Sequence, residues 1–312
     1  IRDSSVTGVQ TCALPICPAS DIEAIKIDAT DPCVFQLSGG TTGIPKLIPR
    51  THNDYAYNTK AASAVCAIKP ESVLLIVLPI AHNLPLACPG VQGFMFAGAK
   101  IVVSMSTRPE DMCSLIEKHG VTHIKVVPSL LIRLLNDPAA KKHDLSSMRM
   151  IQSGGQCLQP ETRALANQII PSAFVQENLG MSEGLLTFVR LDDPSEVRMG
   201  TVGKPVCADD EVMLLDEDDN IVKPGEVGEM CCRGPYTLRG YFGVPDYNKR
   251  AFTTDGFYRS GDLMRQHPSG AYIVEGRKKD LINRGGEKIS AEEIENLILS
   301  HQSVTNVACI PL

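Results

Sequence analysis

Ser38-Gly39-Gly40-Thr41-Thr42-Gly43-Ile44-Pro45-Lys46 gathers three glycines, three hydroxyl side chains and one lysine into nine residues. Glycines let backbone N–H groups approach an anion closely, and hydroxyls and an ammonium add donors and charge. The loop is therefore expected to hold phosphate. The spacing does not fit G-x-x-x-x-G-K-[ST], so this is not a Walker loop. Just upstream, Val34-Phe35-Gln36-Leu37 reads as a buried strand.

Working outward, strand-length apolar runs recur at Val73 to Leu78, Ile101 to Val103, Ile124 to Val127 and Phe174-Val175. Helix-like stretches separate them: His52 to Cys66, Pro109 to His119, Leu130 to Leu135 and Pro160 to Ile170. Pro109 with Glu110 and Asp111 makes a good helix start, with acids at the positive end of the dipole. Such alternation predicts an α/β unit with a largely parallel sheet over 17–193. From 194 to 277, Gly and Pro punctuate short apolar runs at Val212 to Leu215, Ile221-Val222, Met230 to Cys232 and Ala271 to Val274. This predicts a mostly β subdomain. Residues 278–312 read as the start of a small α+β domain, with a helix over Ala291 to Leu299 capped by Ser290 and Glu293, then a strand from Val304 to Ile310.

The chain has 312 residues, net charge −6 and 11 cysteines. The acidic balance and the lack of a basic stripe argue against nucleic acid as a partner. No apolar run approaches the roughly 20 residues of a membrane span. No cysteines are spaced C-x-x-C, which suits free thiols in a reducing cytoplasm. Residues 1–16 are expected to be non-native: Val6 to Ile16 can be back-translated to a sequencing-library adapter, and the stretch is set aside from the fold.

Four further motifs follow the loop in order: Gly180-Met181-Ser182-Glu183, Tyr258-Arg259-Ser260-Gly261-Asp262, Gly276-Arg277, and Asn283-Arg284-Gly285-Gly286-Glu287-Lys288. Together with the loop they resemble the core signature of the adenylate-forming superfamily over essentially all of 17–312. Lys46 to Asp54, Ala81-His82-Asn83, Arg190 to Pro194 and Arg233 to Tyr236 are most similar to the stand-alone aryl-acid AMP ligases of siderophore synthesis. The resemblance implies the adenylate-forming fold, here truncated at both ends.

It also implies roles. Ser38, Gly39, Gly40, Thr41, Thr42, Gly43 and Lys46 would bind the phosphates of ATP, and Glu183 would hold Mg²⁺. Asp262 would accept the ribose hydroxyls, and Arg277 would reach ribose or phosphate. Gly154, Gly155 and Gly180 would let backbone flank the adenine and the aryl ring, with Met181 a further nucleotide contact. His82 and Asn83 would meet the acid, with His82 also among the catalytic groups. Lys279 falls at the family's hinge between large and small domains. Gly285, Gly286 and Lys288 match the loop that approaches the acceptor thiol.

Within the acid pocket, Cys88 stands where 2,3-dihydroxybenzoate enzymes tend to carry Ser, and Leu186 where they often carry Val. Both favour salicylate, although Cys88 alone reads equally as a buried structural thiol. Gln156 and Glu177-Asn178-Leu179 depart from the family pattern, and Asn178 could bond the ring substituent or the adenine. The acceptor would be the phosphopantetheine thiol of an aryl carrier protein; coenzyme A is the alternative. With 33 residues after Lys279 there is no place for the family's C-terminal lysine. The chain alone is thus expected to be weakly active, or a nucleotide-binding fragment.

Overall fold

The structure is a computed structural model that describes residues 26–38, 45–155, 158–284 and 287–291, with single positions 294, 295, 298, 304, 307 and 309. Side chains at 281, 283, 284 and 287–290 lie outside the described set. Gly39, Gly40, Thr41, Thr42, Gly43, Gln156, Gly285 and Gly286 are outside it as well, as are most of the strand expected at Val304 to Ile310 and the suspect 1–16 leader.

Strands β1 (Pro32–Leu37) and β2 (Leu47–Thr51) form an antiparallel hairpin. The expectation of a buried strand before the phosphate loop is corrected here. Along β1 only Gln36 is fully buried, and the strand belongs to a two-stranded sheet rather than the large one. Its apolar residues also serve the hairpin surface, where Phe35 meets Phe242 edge-on at 5.2 Å. Helix α1 (His52–Val65) follows directly, its N-terminus closed by a capping box between Thr51 and Asp54.

The main sheet contains seven strands in the order β4-β3-β5-β6-β7-β8-β9. These are β3 (Val73–Ile76), β4 (Lys100–Val103), β5 (His123–Val126), β6 (Met150–Gly154), β7 (Phe174–Gly180), β8 (Leu186–Phe188) and β9 (Lys204–Pro205). The first five run parallel, β8 returns antiparallel to β7, and β9 pairs antiparallel with β8. The sheet thus continues past residue 193. Sequence reasoning missed β6, because Gln152 and Ser153 interrupt its apolar character although all five residues are buried. Tertiary partners make that burial tolerable: Gln152 donates to Gln176 Oε1 at 2.7 Å on the adjacent strand and to Cys66 Sγ at 3.0 Å.

Helices α2 (Asn83–Ala87) and α3 (Gly90–Phe96) come between β3 and β4, and α4 (Pro109–His119) between β4 and β5. Then come α5 (Pro128–Asn136) and α6 (Ala139–Lys142) between β5 and β6, and α7 (Pro160–Ile169) between β6 and β7. One core unites Leu75, Ile124, Val126 and Ile151 of the sheet with Met112, Ile116, Leu131 and Ala166 of the helices. Arg190 clasps the antiparallel edge by donating to the carbonyls of Phe188 and Pro205 at 2.7 and 2.6 Å.

A second sheet, β10 (Glu211–Leu215), β11 (Val227–Arg233), β12 (Tyr258–Gln266) and β13 (Tyr272–Arg277), is wholly antiparallel. Ile221-Val222 makes only a single bridge to Leu215. β12 carries Asp262. Met230, Tyr258 and Met264 of this sheet pack with Ile48, Leu185 and Val202 from the other side, so one core joins the two sheets. A 3₁₀ turn, Lys278–Asp280, leads into the hairpin β14 (Leu281–Arg284) and β15 (Glu287–Ser290). Described positions of the expected 291–299 helix are helical.

Candidate active site

A cleft of about 800 Å³ runs from the carboxyl ends of β6 and β7 to the face of β12 and β13. The ends of parallel strands are where open α/β sheets collect ligands, since several loops converge there. Ser38, Lys46, Asp262, Arg277 and Lys279 line it, with Glu183, Met181 and Gly180 in the middle. His82, Asn83, Cys88, Gly155 and Asn178 line its other end. Gly154 and Leu186 are not on the wall. Leu186 is fully buried and stands behind Gly180, where a Cβ on the glycine would meet it at 2.8 Å. It narrows the cleft from behind. Lys288 is on β15, with its side chain outside the described residues.

The hairpin ties together Ser38 and Lys46, the described ends of the loop expected to hold phosphate. Ser38 N–H donates to the Lys46 carbonyl, and Lys46 N–H donates to Ser38 Oγ, both at 2.9 Å. Lys46 Nζ stands 4.0 Å from the centroid of the Tyr247 ring, which holds the ammonium at the cleft. Arg50, 1% exposed, reaches from β2 to donate to the Ser182 carbonyl at 2.7 Å. It thereby fixes the Gly180–Glu183 turn against the hairpin.

Glu183 accepts from Tyr241 Oη at 2.8 Å, and Tyr241 meets Tyr258 Oη at 3.0 Å. Burial, then the adjacent carboxylate, pushes both phenols far up, so they remain donors. Among the described residues no three His, Cys, Asp or Glu side chains gather as a metal cage. A divalent ion beside Glu183 would draw its other ligands from phosphates and water, the mode Mg²⁺ favours. The donor set therefore fits Mg²⁺ carried by a nucleotide.

Asp262 faces Arg277 across β12 and β13, and Arg277 Nε meets its Oδ1 at 2.9 Å. Burial pushes the Asp262 carboxyl up, while Arg277 pulls it down. Its second oxygen is not used by that ion pair. Lys278 Nζ and Arg259 share Glu229 at 3.0 and 3.1 Å, which braces the strand on which Arg277 ends.

At the other end, His82 caps α2 through Nδ1, which accepts from Leu84 N–H at 3.2 Å. Asn83 is buried, its Oδ1 accepting from Tyr55 at 3.2 Å and its Nδ2 directed to the Met181 carbonyl at 3.5 Å. Cys88 is 1% exposed, and burial pushes its thiol up, opposed by Lys125. Asn178 Nδ2 donates to its sulfur at 3.5 Å. Lys125, fully buried on β5, donates to the Cys88 carbonyl, and burial pushes its ammonium down.

Tyr241, Tyr247, Arg50 and Lys125 were not singled out from the sequence. Lys125 had a signal: it is the one charge inside the apolar run Ile124 to Val127. The tyrosines had none, because their approach to Glu183 and Lys46 arises only when the second sheet docks.

Fold and cleft define a nucleotide-site α/β protein with a second, antiparallel sheet. The chain belongs to the AMP-binding enzyme family, whose model matches residues 6–242. It is 46% identical over 297 residues to a salicylyl-CoA synthase / salicylate adenylyltransferase of a Streptomyces species, covering 95% of this chain and 54% of that protein. It is 43% identical over 294 residues to the 2,3-dihydroxybenzoate-AMP ligase of Bacillus subtilis, covering 94% and 54%. Its structure is similar to apo MbtA of Mycobacterium smegmatis, with TM-score 0.77 and 43% identity over 92% of this chain and 54% of that one. The chain spans about half the length of the curated relatives it matches. Its fold is a partial adenylate-forming fold.

Proposed function

We propose that the protein to which this chain belongs activates an aryl acid as its adenylate. The observation that carries the reading is the convergence of Lys46, Glu183, Asp262 and Arg277 on the same cleft as Asn83 and Cys88. The acid carboxylate attacks the α-phosphorus of ATP, a P–O bond forms, and the bond to pyrophosphate breaks. Lys46 and the adjoining loop neutralise phosphate charge, Glu183 would hold Mg²⁺, which would offset further phosphate charge, and Asp262 with Arg277 holds the ribose. The work is positioning and charge neutralisation. A thiol then attacks the acyl carbon and AMP leaves. The acceptor is the phosphopantetheine thiol of an aryl carrier protein, after movement about Lys279 that brings Lys288 and its loop toward the thiol. The location is cytoplasmic, which suits the free thiols at all described cysteines.

Salicylate is favoured over 2,3-dihydroxybenzoate. Cys88 offers a weak, already engaged sulfur rather than a hydroxyl, and Leu186 narrows the cleft behind Gly180. ATP–pyrophosphate exchange by the full-length protein tests this. Exchange dependent on an aryl acid, faster with salicylate, is expected. No aryl-acid dependence overturns the activity, and a dihydroxybenzoate preference overturns the choice of acid. Coenzyme A as acceptor is the second reading, favoured by the words salicylyl-CoA synthase in one relative's name; the thioester formed with each acceptor decides.

A further inference from the structure

We propose that Asn178 is a specificity-determining residue, whose amide oxygen accepts a hydrogen bond from a hydroxyl or amine on the ring of the acid. The inference rests on the aryl-acid reading above. Asn178 lies on β7, opposite Gly154 of β6, and lines the acid end of the cleft while 3% exposed. Its Nδ2 is spent on Cys88 Sγ, but its Oδ1 has no partner. A buried acceptor left unmatched is unfavourable, so it favours a ligand that brings a donor.

The neighbours leave that role to Asn178. Asn83, the other amide at this end, has both its oxygen and its nitrogen engaged, by Tyr55 and by the Met181 carbonyl. Cys88 is held at both its atoms, with Lys125 on its carbonyl and Asn178 on its sulfur. The flanking glycines permit the placement. A Cβ at Gly154 would stand 2.9 Å from Asn178 Oδ1, and one at Gly180 would reach 3.4 Å from Cys88 Sγ. Bare backbone at both positions leaves the amide and the sulfur uncrowded. Apolar substituents at that edge would leave Oδ1 buried without a donor, and sites built on a polar partner reject such analogues strongly.

The test is exchange kinetics on the full-length protein with benzoate, hydroxybenzoates and aminobenzoates, for wild type and Asn178→Leu. Wild type is expected to prefer the best hydroxy or amino acid over benzoate by about tenfold or more in kcat/KM. Asn178→Leu is expected to bring the two within about threefold, chiefly by weakening the substituted acid, with the KM for ATP unchanged. Asn178→Val serves if the leucine variant does not fold. Equal use of benzoate by wild type, or an undiminished preference in the variants, overturns the inference. Exchange with no aryl acid at all overturns instead the activity on which it rests.

Discussion

Asp262, the proposed ribose contact, has a setting that suits a polyol. It is buried, one oxygen is tied to Arg277 at 2.9 Å, and its backbone N–H is tied to Ser260 Oγ at 3.0 Å. That leaves one carboxylate oxygen oriented and unclaimed by the pair. Hydrogen bonds to a charged group contribute about 1.5–3 kcal/mol. Asp262→Asn should therefore raise the KM for ATP by about tenfold or more while leaving the KM for the acid near wild type. Initial-rate exchange measured with each substrate varied checks this; equal changes in both would point to a general distortion. Much of the cleft lining was legible at this scale. Ser38, Lys46, Asn83, Glu183 and Asp262 were identifiable because the proposed phosphates, Mg²⁺, ribose and acid each demand a particular donor type, and short motifs carry those types. Lys125 and Tyr241 were not, because their meaning depends on what packs against them.

Among the elements, β7 carries the heaviest burden. Its residues contribute Asn178 and Gly180 to the cleft, and Glu177 forms a buried ion pair with Arg163 at 2.5 Å. Glu177 also accepts from Leu158 N–H at 2.9 Å, and Arg163 donates to the Val175 carbonyl at 2.8 Å. The pair bolts α7 to the strand that ends in the site. Breaking one partner of a buried pair strands a charge, at a cost of about 3–5 kcal/mol. Glu177→Gln should lower unfolding stability by about that much, whereas Glu177→Gln with Arg163→Met should recover more than half, as the charge is gone. Urea denaturation of the three proteins measures both. The chain's punctuation located α4 and α7 well, since a proline at the first turn marks each start. It failed for β6 and β12, where Gln152 and Asp262 find partners on neighbouring strands in Gln176 and Arg277.

Across the whole molecule, buried His123 and half-buried Asp210 pull stability in opposite directions on acidification. His123 is pushed down to about 4, by burial first and then by Lys125. Asp210, beneath Tyr236, is pushed up to about 6 by burial. Below pH 6.5 the unfolded chain protonates the histidine while the folded one does not, so stability falls toward pH 4 by up to about 3 kcal/mol. The folded state binds a proton at Asp210 more tightly than the unfolded chain, so stability lost above pH 3.8 is regained as pH drops through 6. That gain is smaller, because Asp210 is partly open to solvent. Asp210→Asn should therefore steepen the loss between pH 6.5 and 4, and His123→Gln should flatten or reverse it. Thermal unfolding across that range, compared with wild type, reads the two differences; parallel curves would refute the assignment.

The sequence by itself determined the family and the class of fold. Glycine, hydroxyl and carboxylate motifs carry the proposed phosphate, metal and ribose contacts locally, and alternating apolar runs specify a parallel sheet. Tertiary structure decided what lies between the motifs. It set β1, the strand before the loop, on a largely exposed hairpin, brought the tyrosines to Glu183, and buried Lys125 against Cys88. It also left one amide oxygen of Asn178 unmatched in the acid end of the cleft. Those outcomes depend on which surfaces exclude water against one another, and burial of that kind is a property of packed neighbours far apart in the chain.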